Sequence, residues 1–174
     1  MLASADRRQT VIALSGLFAF VALLVAINPL GFFGGHWDDG RYLDSAVAWA
    51  TIGPALGSTH WALRWPVVVP AAGVIWLSGL TRAALMMPSL LTLAALILFN
   101  FWAARRAFGI AGATFAITAL ITTPEIALWA TRLNADLIEM LFWSIALWAF
   151  YFGRIASDPS KRYRSEERRV GKEC

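Results

Sequence analysis

Asp38 and Asp39 stand side by side just after the first apolar run, in Trp37-Asp38-Asp39-Gly40-Arg41-Tyr42. Adjacent carboxylates perturb one another, so one of a pair can hold a raised pKa and act as a general base. Arg41 is close enough in sequence to pair with either, although acids just past a helix end are also simply solvated in many proteins. A third acid, Asp136, closes Thr131-Arg132-Leu133-Asn134-Ala135-Asp136 at the mouth of the last apolar run. There it reads either as part of the same chemistry or, with Asn134, as helix-capping chemistry. His60-Trp61-Ala62-Leu63-Arg64-Trp65-Pro66 sets a guanidinium between two indoles. That fork suits a phosphate, and the same arrangement also serves as a snorkelling anchor. His60 has no set of partners that would make it a metal ligand. Glu125, Glu139 and Asn100 receive no role.

The elements that hold these residues follow from composition. The chain has 174 residues, 59% of them hydrophobic, and nine Trp, with a mean hydropathy of +0.61. Soluble domains have roughly 45–50% apolar residues, so the chain reads as an all-α polytopic membrane protein. Crossing a hydrocarbon layer of about 30 Å takes roughly 20 helical residues. Thr10–Phe33, Leu85–Ala104, Ala107–Thr123 and Leu137–Gly153 are read as four spans. Thr10–Phe33 is too long for a signal peptide and lacks a small-residue cleavage site, so it is read as a retained span. Pro66–Leu80 reaches only about 22 Å and suits an interfacial helix.

With four spans, Arg7–Arg8, Arg105–Arg106 and the cluster Arg154, Lys161, Arg162 share the cytoplasmic side, as the positive-inside rule requires. A fifth span would send the last two groups outside. Residues 34–84 then form a long outer segment, and Asp38, Asp39 and Asp136 share its face. Within it Leu43–Ile52 and Pro66–Leu80 read as membrane-parallel helices, with Trp37, Trp49, Trp61, Trp65 and Trp76 in the headgroup layer. The basic balance follows from topology. No phosphate-cradling Gly-rich loop, nucleophile elbow, metal-ligand spacing or nucleic-acid signature occurs.

Arg164–Cys174 departs in composition from the rest and resembles the in-frame translation of a sequencing adapter. It is set apart from residues 1–163 as a non-native tail. It holds the chain's single cysteine, so no disulfide is expected. Its presence implies an interrupted reading frame, with the natural protein continuing beyond Tyr163, so residues 1–163 are read as an N-terminal part that is expected to be inactive by itself.

The layout resembles the GT-C glycosyltransferases, in particular the family 39-like group of protein mannosyltransferases and lipid A aminoarabinose transferases. The resemblance spans nearly all of Thr10–Gly153. It rests on Asp38-Asp39-Gly40-Arg41-Tyr42 after the first span, Arg64-Trp65-Pro66 before a parallel helix, and Met86-Met87-Pro88-Ser89 at the start of the second span. Arg105-Arg106-Ala107-Phe108-Gly109 at a cytoplasmic turn and Asp136 before the last span complete it. Asp39 departs from the group, where Glu is usual, and its carboxylate stands one methylene shorter.

The resemblance implies an inverting transfer of a sugar from a polyprenyl-phosphate donor to a lipid, glycan or protein acceptor. The reaction would occur on the outer face of the cytoplasmic membrane, with the N-terminus cytoplasmic and the lipid tail along membrane helices. It implies Asp38 as general base, Asp39 and Asp136 as further catalytic acids, with Asp136 orienting a substrate. Arg64 and Arg41 would neutralise the phosphate, and Tyr42 and His60 would contact substrate. Some members of the group use a divalent metal and others do not. Two other classes compete: a transporter or channel segment, which favours polar groups near the bilayer midplane, and a non-catalytic membrane assembly subunit.

Overall fold

The computed structural model of the chain describes residues 2–27, 38–54 and 59–156, and everything in them that is regular is helical. Gly34-Gly35-His36-Trp37 and the segment 157–174, the adapter-like tail included, lie outside the described residues. The helices are α1 Leu2–Ile27, α2 Asp38–Ile52, α3 Trp65–Ser78, α4 Arg82–Ile121, α5 Pro124–Trp129 and α6 Asp136–Ala156. The chain divides into two compact units, Met1–Leu141 and Phe142–Cys174. In the second, Trp148, Tyr151 and Phe152 form an aromatic cluster with ring centroids 5.5–5.6 Å apart.

Helix boundaries follow the local chemistry. α2 opens five residues before the expected Leu43, so Asp38 and Asp39 form its first turn rather than a loop. Acids at that position interact favourably with the unpaired N–H groups of the helix start. Gly53 ends α2 with φ of 92°, and Pro54 forbids its continuation. α3 starts with Pro66 in its first turn, where the missing N–H costs nothing, and stops at Gly79, φ 75°. Thr81 then caps α4, its hydroxyl accepting from Ala84 N at 3.1 Å.

α4 is helical over 40 residues except at Gly109, with φ 76° and ψ −177°. The chain reverses there. A straight helix from Ser89 to Ile121 would be about 48 Å long. Yet Ser89 Oγ donates to the carbonyl of Arg132. The ~11 residues joining Ile121 to Arg132 reach at most about 40 Å when extended, and six of them are coiled into α5. So two limbs, 82–108 and 110–121, fold back on each other. The first buries Leu93, Leu96, Ile97, Phe101 and Ala104, a helical stripe, and the second buries Ala113, Ile117 and Ile121.

The turn expected over Arg105-Arg106-Ala107-Phe108-Gly109 thus falls on its last residue, Gly109. The arginines sit in the last turn of the first limb, where cations suit the carbonyl end. α1 runs beside the second limb. Gln9 and Ile12 share a groove with Ile110 and Thr114, and Leu17 and Phe20 share one with Ile121 and Thr122. Arg7–Arg8 and Arg105–Arg106 therefore lie at one end of this bundle.

Among the described residues two helices are long and apolar enough to cross a membrane, Ala84–Ile121 and Asp136–Arg154. After the reversal at Gly109 the first limb alone is still about 40 Å long. The second limb, about 18 Å, is shorter than the expected Ala107–Thr123 span. Large apolar side chains stand exposed along both helices, including Leu91, Trp102, Phe115, Trp143 and Phe150, a surface suited to an apolar surrounding.

Glycines at the reversal fail for different reasons when substituted. A Cβ at Gly109 meets no atom within 4 Å, and its cost comes from the left-handed φ. A Cβ at Gly112 would lie 2.6 Å from Phe108 Cβ. Gly109→Ala is expected to lower stability by about 1–2 kcal/mol, read as a lower thermal midpoint in detergent. Gly112→Ala is expected to do so too, and trimming Phe108 to Gly relieves only the second.

Candidate active site

α2 and α3 pack through a shared core that includes the small residues Ala46, Ala71 and Ala72, each 0–6% exposed. That close approach carries Tyr42 and the first turn of α2 onto the start of α4 and onto residues 130–135. Tyr42, Ala46, Val67, Val68, Ala71, Ala72, Ile75, Ala84, Leu85, Leu133 and Ala135 make the core beneath the site.

The segment Thr131-Arg132-Leu133-Asn134-Ala135-Asp136 joins α5 to α6 beside this core, and its first two residues still belong to a turn, Thr131 N donating to Leu128 O at 3.4 Å and Arg132 N to Trp129 O at 3.2 Å. Thr131, Leu133 and Ala135 are buried. Arg132, Asn134 and Asp136 line a pocket together with Asp38, Asp39, Tyr42, Arg64, Trp129 and Ala135. The segment is held by Ser89 Oγ on the Arg132 carbonyl and by Thr131 Oγ1 on Leu128 O at 3.2 Å.

Of the residues singled out in the sequence, the fold brings Asp38, Asp39, Asp136, Arg64 and Tyr42 to one pocket. Asp38 and Asp136 are exposed and Asp39 is buried. Arg64 Nη1 donates to Tyr42 Oη at 2.6 Å. Tyr42 is 1% exposed, so it serves as an anchor that aims Arg64. Burial pushes the phenol above its usual range, against the pull of the Arg64 charge. The hydroxyl therefore stays protonated at neutral pH. Arg41 and His60 go elsewhere. The Arg41 guanidinium lies 4.3 Å from the centre of the Trp61 ring, and His60 packs against the same indole at 3.6 Å between centroids.

Asp39 Oδ2 is buried and accepts no hydrogen bond. Arg132 Nε lies 4.0 Å away, with side-chain exposures of 12% and 5% for Arg132 and Asp39. Burial raises the Asp39 pKa above 3.8, Arg132 and its own backbone N–H oppose the rise, and Asp38 and Asp136 add to it. A raised folded-state pKa means that protonation favours the fold. The contribution is complete below pH 3.8 and disappears as pH climbs through the raised value. Asp39→Asn is expected to flatten that stretch of the stability-versus-pH curve, measured by denaturant unfolding in detergent across mildly acidic pH.

Arg132, Asn134 and Trp129 received no role in the sequence reading. No local pattern marks Arg132, and Asn134 read as a cap; packing alone brings both to the pocket. Trp129 belongs to α5, inside what was read as a plain connection. Among the described residues no three His, Cys, Asp or Glu side chains come together as a metal site. The pocket offers exposed carboxylates to take a proton, two guanidiniums to meet an anion, and an indole wall. Compared with family models, curated proteins and solved structures, the chain matches none of them.

Proposed function

We propose that this chain belongs to an integral membrane glycosyltransferase of the GT-C kind, which transfers a sugar from a polyprenyl-phosphate donor. The observation that carries the reading is the convergence of Asp38, Asp136, Arg64 and Arg132 on one pocket from three separate stretches of chain. Both charge types that the reaction needs are present within that pocket.

An acceptor hydroxyl attacks the anomeric carbon from the face opposite the phosphate. The new C–O bond forms as the C–O bond to phosphate breaks, with inversion. Asp38, exposed at the pocket, takes the acceptor proton. Arg64, aimed by Tyr42, meets the charge that develops on the departing polyprenyl phosphate. Arg132 supplies a second guanidinium in place of Arg41, which stacks on Trp61. Asp136 orients a substrate hydroxyl.

In this reading α1, the two limbs of α4 and α6 are the four spans. The arginines at the Gly109 end face the cytoplasm, and the acids face the outer side. The short second limb leaves the apolar layer with its last carbonyls satisfied, since the hydroxyls of Thr122 and Thr123 donate to Thr118 O and Ala119 O.

The test is incubation of the membrane-embedded protein with polyprenyl-phosphate sugars and total membrane acceptors. A glycosylated product that depends on the chain supports the reading. No product from any donor, with donor binding also absent, removes it.

A further inference from the structure

Asn134 is 9% exposed, lines the pocket, and its Oδ1 is buried with no hydrogen-bond partner. The ordinary explanation for an Asn two residues before a helix is capping. It fails here. The first intrahelical bond of α6 runs from Glu139 N to Ala135 O at 2.9 Å, which makes Ala135 the capping position, and a capping Oδ1 would be accepting a backbone N–H. In the same pocket, Asp39 Oδ2 is also a buried acceptor without a hydrogen bond, with Arg132 Nε facing it at 4.0 Å.

Buried acceptors in native proteins have partners, so an occupant is implied. An anionic oxygen cannot donate to either atom. A metal ion lacks a ligand set among the described residues. What satisfies Asn134 Oδ1, and shares Asp39 Oδ2 with Arg132, is a neutral group carrying O–H donors. Trp129, half-buried in the same lining, adds a flat apolar wall of the size of a pyranose ring.

We infer that Asn134, with Asp39 and Trp129 beside it, forms a subsite that reads the hydroxyls of a sugar ring. This rests on the reading of the pocket as a glycosyl-donor site and names its specificity determinant. Arg64 and Arg132 hold the phosphate half of the donor, and Asn134 holds the ring half. Asn134 is a binding residue here and takes no part in proton transfer.

The experiment is calorimetric titration of the full chain, in nanodiscs, with geranyl phosphate and with geranyl phosphohexose. The ratio of the two dissociation constants reads the subsite alone. The hexose is expected to tighten binding by about tenfold, the worth of one or two buried hydrogen bonds. Asn134→Leu, which removes the acceptor at similar volume, is expected to bring the ratio to about 1. Asn134→Asp, which keeps an acceptor oxygen, is expected to retain most of it. A wild-type ratio near 1, or a ratio untouched by Asn134→Leu, overturns the inference while leaving the phosphate half of the donor reading in place. If Asn134→Leu fails to fold, Trp129→Leu decides: a ratio that stays at the wild-type value overturns the subsite.

Should neither geranyl compound bind, the donor reading falls. Methyl hexoside at millimolar concentration then tests the subsite alone. Binding that Asn134→Leu abolishes keeps it, and no binding ends it.

Discussion

Asp38→Asn is expected to lower sugar transfer by roughly 10²–10⁴-fold in the full chain, the usual worth of a positioned general base. The substitution keeps the side chain's shape and removes its proton affinity. Its structural cost is small. Asp38 is exposed in the first turn of α2, and loss of a charge there weakens the helix by about 0.3–1 kcal/mol. Donor affinity should therefore change little while kcat falls. Transfer that persists at wild-type rate would sink the base assignment. Asp39→Asn makes the necessary contrast, since Asp39 is 4% exposed and is packed beside Arg132. Should Asp39→Asn alone abolish turnover with donor binding intact, the base role passes to the buried acid.

That contrast also shows what the sequence could and could not convey. The adjacent acids, Arg64 before a proline and Asp136 before an apolar run are local patterns. Each was visible, and the fold brings all of them to one pocket. Helix types were equally legible, because Pro66 and Gly53 mark boundaries by local rules. What escaped was set by long-range packing. Arg41 and Arg64 are the same residue type and were given the same role. Only the approach of α2 to residues 59–64 decides that Arg41 covers Trp61 while Arg64 turns to Tyr42.

The reversal point in α4 shows a second kind of limit. Charge marked Arg105–Arg106 as the end of a span, but charge tolerates any position in a last helical turn. The backbone needs a residue free to adopt positive φ, which Gly109 provides. Likewise Asn134 fitted a cap by sequence. Its orphaned oxygen became visible only once Ala135 proved to take the capping position.

Arg132→Met is expected to be the most destabilising single change in the site, by about 3 kcal/mol at neutral pH. Removing one partner of a buried ion pair leaves the other charge without compensation, at a cost of about 3–5 kcal/mol. Two features place this case at the low end. The pair is long, 4.0 Å, and the Asp39 pKa is already raised by burial, so the carboxylate can escape the penalty by taking up a proton. The deficit must therefore shrink as pH falls. Asp39→Asn should restore much of the loss in the Arg132→Met background, because a neutral amide needs no counter-charge. A double-mutant cycle in chemical unfolding measures the coupling. Additive losses at both neutral and acidic pH would mean that Arg132 acts through packing of its stem, and that Asp39 does not hold its guanidinium at the pocket.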